Sequence, residues 1–263
     1  APFQEGDVPG PLKYGYCNVG VVEAGERALI GQKVFCLYPH QSRYVVPREA
    51  IVPLPDGVPP LRALLTANME TSVNALWDSG MTVGMRCVVI GAGVIGLLVA
   101  YLGQAIPGTE VAIIETNPDR WPTCSALGLN RIDRPSFTPD IIFEASATAE
   151  GLQSALDIAG MESRIVELSW FGDHELRLNL GGAFHAKRLT ITSSQVGQIA
   201  PVQRARWSHR QRLRLAVSLL QDDRLDRLIS GTTPLADLAD DYERILLHAK
   251  DTLCHAVDYS QES

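Results

Sequence analysis

The sequence predicts an α/β fold, a doubly wound parallel sheet inserted in a partial β-rich domain. Three observations carry that prediction. Between residues 86 and 195, short apolar runs alternate with helical spacing, the pattern of parallel strands joined by crossover helices. The first of these runs, Val88-Val89-Ile90, leads straight into Gly91-x-Gly93-x-x-Gly96 and then Leu97-Leu98-Val99-Ala100. The first 55 residues instead carry short strand-like runs between Gly, Pro and polar turns.

In chain order, strands are expected at 18–22, 33–37, 43–47 and 50–53, a small barrel-like module. From Pro60 the spacing turns helical over 61–67 and 71–77, and Asp78-Ser79-Gly80 closes the second run. The alternating region then gives strands at 87–90, 110–114, 141–144, 163–168 and 189–192. Its helices are expected at 94–106, 118–127 and 149–159. A long helix over 202–220, a shorter one over 235–249 and a strand over 252–259 complete the chain. These elements divide it into a β-rich domain, 1–67 with 196–263, and an inserted α/β domain, 68–195.

Bulk properties exclude several classes. A chain of 263 residues with 46% hydrophobic and 20% charged residues has ordinary globular composition. The net charge of −7 argues against a nucleic-acid partner. The basic stretch 204–214, with Trp207 and His209 inside it, suggests phosphate or nucleic-acid binding or, the favoured reading in an acidic protein, a solvated helix face or ion-pair strip. No apolar run approaches the ~20 residues of a membrane span. The five cysteines, at 17, 36, 87, 124 and 254, form no CxxC pair, which suits a reducing cytoplasm rather than a disulfide frame. The N-terminus has neither a basic n-region nor an apolar h-region, so no signal peptide is read there. It also begins without Met, and a further segment is expected upstream.

The glycine pattern points to a dinucleotide. Gly91 permits the sharp strand-to-helix turn, Gly93 leaves room for backbone to approach a pyrophosphate, and Gly96 lets helix and strand pack closely. The helix start, through Ala92, Val94 and Ile95, offers N–H groups and about half a positive charge to the phosphates. A second apolar strand ends at Glu115, 24 residues after Gly91 and 19 after Gly96, where a carboxylate can accept from ribose hydroxyls. Thr116 and Ser146, at the ends of the second and third strands of this domain, join the candidate cofactor set. Glu115 would meet the 2′-phosphate of NADP with like charge, so NAD is expected over NADP.

The whole arrangement resembles the medium-chain dehydrogenase/reductase superfamily, the zinc-type alcohol dehydrogenases and their kin. Pro11–Val22 (PLKYGYCNVGVV) looks like the segment that in zinc alcohol dehydrogenases carries Gly-His-Glu followed by Gly-x-Val. Gly31-Gln32-Lys33-Val34 is similar to the family's Gly-Asp-x-Val turn, and Pro53-Leu54-Pro55-Asp56-Gly57 to the stretch before its linking helices. The resemblance implies a Rossmann domain inserted in a GroES-like catalytic domain whose first strands would lie upstream of Ala1. It places a basic residue, Arg120, near the adenosine ribose, and Ser194 and Gln195 at the crossover beside the nicotinamide. It also implies a homodimer, joined through the region 176–180 and 189–192.

The departures are as informative. Gly15-Tyr16-Cys17 stands where the family carries a zinc-binding His, Ala67 where a second ligand sits, and the four-cysteine zinc lobe is missing after Phe35. The chain is thus similar to a short, zinc-ligand-poor branch that also includes the bacteriochlorophyllide hydroxyethyl dehydrogenases, and no zinc is expected. A rescue set of Cys17, His40 and Glu70 has no supporting spacing.

Three residues are candidates for catalysis. Tyr16, in the place of a lost ligand, is either a general acid or a filler of volume. His40 is either a proton shuttle or a surface histidine, and Glu70 either orients substrate or serves structure. Cys17 is either a reactive thiol, if a positive charge or helix N-terminus lowers its pKa, or a buried small apolar residue, the favoured reading. His185 is a dimer-edge or cleft residue.

The function implied is hydride transfer between nicotinamide and a carbonyl or secondary alcohol of a small molecule, in the cytoplasm and without zinc. The rival expectations are a dinucleotide-binding sensor or partner protein that has lost catalysis, or, as the resemblance implies, a pigment enzyme similar to the bacteriochlorophyllide hydroxyethyl dehydrogenases.

Overall fold

The computed structural model describes residues 3, 6, 10–248 and 251–260. The chain forms two compact units, Ala1–Met69 with His209–Ser263, and Glu70–Ser208.

In the first unit, β1 (Asn18–Val21), β2 (Lys33–Cys36) and β3 (Ile51–Pro53) form an antiparallel sheet in that order. Phe35 and Val52 sit opposite each other and bury against Leu213 and Val217, with Cys17, Val19, Leu37, Leu54 and Ala67 around them. The strand expected at 43–47 does not form. Val45 is 96% exposed and so has no apolar surface to join, while Tyr44 stacks on Tyr38 at 3.9 Å within a loop.

The helical stretches after Pro60 are a short α1 (Pro60–Ala63) and one continuous α2 (Thr66–Ser79), which runs from the first unit into the second. Pro60 takes the first helical position, where its missing N–H costs nothing. Arg62, on α1, is buried and reaches Asp226 through both Nε (2.7 Å) and Nη2 (2.8 Å), and Nη1 reaches the Gln221 carbonyl at 3.0 Å. Arg62→Ala is therefore expected to cost about 2 kcal/mol of stability, read as a lower urea midpoint; half-exposed Asp226 keeps the loss below that of a fully buried pair. An unchanged midpoint would mean that the pair contributes nothing net.

The second unit is built on a six-stranded parallel sheet: β4 (Arg86–Ile90), β5 (Glu110–Ile114), β6 (Asn130–Ile132), β7 (Ile141–Glu144), β8 (Arg164–Glu167) and β9 (Thr190–Ser193). The order is β6-β5-β4-β7-β8-β9, so the direction of winding reverses beside β4. This is the doubly wound α/β sheet that the alternation of elements predicts. Its central strands are near-continuous apolar runs because both faces are covered. Val88, Ile142, Leu156 and Ile165 are essentially fully buried, each contributing roughly 1.5–3 kcal/mol.

Helices α3 (Val94–Gln104), α4 (Trp121–Ala126), α5 (Ala149–Ile158) and α6 (Ala183–Ala186) connect the strands. The hydroxyl of Thr148 caps α5 by accepting from the Gly151 N–H at 3.0 Å. Strand β6 had no sequence signal, since Asn130-Arg131-Ile132 is a polar edge. The unit continues past residue 195 because the following turns return to α2: the Ala200 N–H donates to the Asn74 side-chain oxygen at 3.2 Å, and Trp207 packs on Trp77.

That same return shortens the helix expected at 202–220. Residues 201–206 form turns, and only α7 (His209–Ser218) is α-helical. Its inner face holds Arg212, Leu213, Ala216 and Val217. Arg212 is 1% exposed, so the basic stretch is not a uniformly solvated face.

The remainder of the first unit pairs β10 (Ile229–Pro234) in parallel with β11 (Cys254–Asp258). Between them, the helix expected at 235–249 is a 3₁₀ turn (Leu235–Asp237), α8 (Leu238–Glu243) and a π turn (Arg244–His248). Residue 249 lies outside the described residues.

Candidate functional site

The turn between β4 and α3 assigns a separate steric role to each glycine. Gly91 has φ +98°, and a Cβ there would stand 2.7 Å from the Ala145 carbonyl oxygen. Gly96 must be glycine because a Cβ would collide with the Gly91 carbonyl oxygen and crowd Val89. Around Gly93, by contrast, a Cβ would meet nothing within 4 Å. Open space at the second glycine, with both its neighbours packed tight, is the cradle that a pyrophosphate needs. Gly93 caps α3, and the Leu97 N–H is the first to bond back to it, at 2.9 Å. The N–H groups of Val94, Ile95 and Gly96 therefore have no partner within the helix. The Ala92 N–H is different: it donates to Glu115 Oε2 at 2.7 Å.

Glu115, at the end of β5, is 6% exposed. Its other oxygen accepts from the Asn117 N–H at 2.7 Å, and Arg120 Nη1 lies 3.5 Å from Oε2. Each carboxylate oxygen has a second lone pair, so acceptor capacity remains beyond these bonds. Arg131 and Trp121, which the sequence reading passed over, complete this corner. The Arg131 guanidinium lies 4.1 Å from the Trp121 ring centroid, and both side chains donate to the Glu115 carbonyl. Only the indole and guanidinium in Trp121 and Arg131 hinted at them, and no spacing rule flags such a pair. Thr116 is exposed at the same strand end.

Ser146 follows β7, and its N–H donates to Glu144 Oε1 at 2.8 Å. The Ser194 hydroxyl donates to Asp78 Oδ2 at 2.7 Å, and its N–H to the Glu167 carbonyl at 2.9 Å. Gln195 is exposed, with its amide oxygen folded back onto the Gly197 N–H.

Of the catalytic candidates, Tyr16 and His40 lie in the first unit and are brought together there. Gly15 has φ +85°, and a Cβ on it would stand 2.6 Å from the His40 ring. The His40 N–H also donates to the Tyr14 carbonyl at 2.7 Å. Burial pushes the His40 imidazole below its ordinary value, so the neutral ring dominates at neutral pH. The Tyr16 ring is half exposed, but its hydroxyl is sunk beside Cys17, Cys254 and Asn68. Burial first, then the two thiols, push the phenol up to about 12, against a hydrogen bond with Asn68. Cys254, brought in by the returning strand β11, had no sequence signal. Glu70 is 5% exposed on α2, at the start of the second unit.

This donor set does not fit zinc. Among the described residues no three His, Cys, Asp or Glu side chains converge. Burial raises the Cys17 thiol to about 12 and the Cys254 thiol to about 11, so in the metal-free protein both keep their protons.

Comparison with known proteins gives the following. No family model matches the chain. A 2-dehydro-3-deoxy-L-galactonate 5-dehydrogenase of Pseudoalteromonas atlantica is 26% identical over 213 residues, 75% of this chain and 58% of that protein. The (R,R)-butanediol dehydrogenase of Bacillus subtilis is 31% identical over 122 residues, 46% of this chain and 35% of that protein. This chain thus spans between a third and three fifths of these relatives' length. In fold it is similar to a short chain alcohol dehydrogenase of Escherichia coli CFT073 complexed with NADH, with a TM-score of 0.70 at 17% identity over 94% of this chain and 80% of that one. It is also similar to TarJ of S. aureus in complex with NADPH, with a TM-score of 0.69 at 18% identity over 87% of this chain and 76% of that one. No helix among the described residues is long and apolar enough to cross a membrane.

Proposed function

We propose that this chain, whose relatives and structural neighbours are zinc-type medium-chain alcohol dehydrogenase family members, is itself an NAD(H)-dependent oxidoreductase. It acts on the carbonyl or secondary alcohol of a small molecule. The observation that carries the reading is the glycine turn, crowded at Gly91 and Gly96 and open at Gly93. The amides of Val94, Ile95 and Gly96 would hold the pyrophosphate. Glu115, Thr116 and Arg120 would hold the adenosine ribose, and Ser146, Ser194 and Gln195 the nicotinamide side. When bound, the nicotinamide supplies or accepts the hydride. The chain's own share is to orient the reacting carbon and to hold a proton at Tyr16, where zinc relatives use a metal. We infer that the reaction runs without zinc, in the cytoplasm, and in a homodimer joined through the β9 edge of the sheet.

A side-by-side fluorescence titration with NADH and NADPH tests the cofactor. Saturable NADH binding with weaker NADPH is expected. Glu115→Ser should then move the ratio of the two dissociation constants about tenfold or more towards NADPH, because a carboxylate no longer faces the 2′-phosphate. An unmoved ratio would mean that Glu115 serves only the Ala92 and Asn117 amides. NADH binding without oxidation by any carbonyl screened would favour the rival sensor reading.

A further inference from the structure

At the ends of β7 and β8, one strand over from the glycine turn, two glutamates stand in register, Glu144 and Glu167. The Glu144 carboxylate is fully buried and well supplied with donors. The Ser146 N–H and hydroxyl donate to its Oε1, and the Ser169 hydroxyl donates to Oε2 at 2.6 Å. The Ser169 oxygen in turn accepts from the Ala147 N–H at 2.9 Å, and the Ser169 N–H donates to Glu167 Oε1 at 2.7 Å. Glu167 Oε2 is the exception: it is buried, and no N–H or O–H donates to it. What lies within its side chain's reach is the Glu144 carboxylate. Two ionised carboxylates in that position repel, whereas one proton between them satisfies the orphan oxygen and removes a charge.

We propose that Glu144 and Glu167 share a single proton and that Glu167 is thereby a positioning residue for the dinucleotide, holding the 145–148 loop against the glycine turn. This role rests on the dinucleotide reading above. The mechanical path is short. The Ala145 carbonyl and Ser146 Cα fill the space beside Gly91 that a side chain would occupy, at 2.7 and 2.8 Å from its ideal Cβ. Ala147 holds φ 56°, a left-handed conformation that a non-glycine residue keeps only under constraint, and the Ser169 oxygen is the constraint on its N–H. Gly151, in the first turn of α5, admits the network from the other side: its ideal Cβ would stand 2.7 Å from Glu144 Oε1.

Burial first, then the charge and hydrogen bond of Glu144, raise the Glu167 carboxyl to about 8, against the bonds given by Ser169. Other faces of the pair are neutral: Ser193 on β9 is in register with Glu167, and Ile90 on β4 with Glu144. Among the described residues Glu144 is the charge that acts on it. The sign follows from the raised value. The shared-proton state is fully favoured below the ordinary carboxylate range, weakens as pH rises, and is lost as pH passes about 8.

The experiment measures the NADH dissociation constant and, in ligand-free protein, deuterium exchange at the Ala147 amide corrected for its intrinsic pH dependence. Both are followed from about pH 6 to about pH 9.5 in the wild type and in Glu167→Gln, whose amide can donate to Glu144 but does not titrate. In the wild type the dissociation constant is expected to rise about fivefold or more between about pH 7 and about pH 9, and exchange to accelerate with the same midpoint. In Glu167→Gln both should lie flat. A flat wild type, or an inflection that survives in Glu167→Gln, overturns the proposal. If NADH binds at no pH, the dinucleotide reading falls and the positioning role with it; the exchange curve then reports separately whether the pair holds the loop.

Discussion

Gly93→Ala is expected to weaken NADH binding about tenfold or more while the protein stays folded. The added methyl group meets no protein atom within 4 Å, and the backbone at Gly93 has φ −72°, which any residue adopts. The one structural cost is at the helix cap, where alanine is worse than glycine by up to about 1 kcal/mol. A thermal midpoint lowered by only a few degrees is therefore expected. The methyl group does, however, occupy the space through which a pyrophosphate would approach the N–H groups of Val94 and Ile95.

The comparison with its neighbours makes this a test of function rather than of folding. Gly91→Ala forces a side chain into left-handed backbone and against Ala145, and Gly96→Ala drives α3 away from the turn. Both are expected to lower the thermal midpoint markedly as well as to lose the cofactor. If Gly93→Ala binds NADH as the wild type does, the open space is not a phosphate site, and the turn is structural.

Most of the parallel sheet was legible because five of its six strands declare themselves locally. Val88-Val89-Ile90 and Ile141-Ile142-Phe143 are unbroken apolar runs, which only a strand covered on both faces requires, and the glycines punctuate them. β6 and β10 were not legible, since Asn130-Arg131-Ile132 and Ser230-Gly231-Thr232-Thr233 owe their conformation to the strand beside them rather than to their own pattern. Residues 43–47 show the converse: the apolar, β-branched run of a strand is present, but among the described residues no strand pairs with it.

The site divides along the same line. Gly91, Gly93, Gly96 and Glu115 stand at fixed spacing within one βαβ unit, so a window of sequence contains them all as candidates. Cys254 beside Tyr16, and Glu167 beside Glu144, are brought together by the return of a distant strand or by register between strands. No window of sequence contains either pair.

Tyr16→Phe is expected to lower kcat for carbonyl reduction about a hundredfold or more, with the NADH dissociation constant unchanged and KM little altered. The argument starts from the direction of its pKa. Burial beside Cys17 and Cys254 pushes the phenol up to about 12, so at every working pH the hydroxyl holds its proton. A group in that state cannot serve as a base in the oxidative direction, but it can donate to an oxygen that gains negative charge as hydride arrives. The proton-donating form is complete at neutral pH and is lost only as pH rises through about 12, so Tyr16 itself should put no inflection in the reduction rate below about pH 11.

Asn68 fits that role, because a hydrogen bond from it steadies the anion left after donation. His40, with its imidazole held below the ordinary value by burial and packed on Gly15 next in the chain, is the candidate for returning that proton. His40→Ala should therefore lower kcat less than Tyr16→Phe and add little to it in the double variant, as residues acting in sequence do. A Tyr16→Phe enzyme with wild-type kcat would leave the ring as filler of volume. The proton would then have to come from a group outside the Tyr16 cluster.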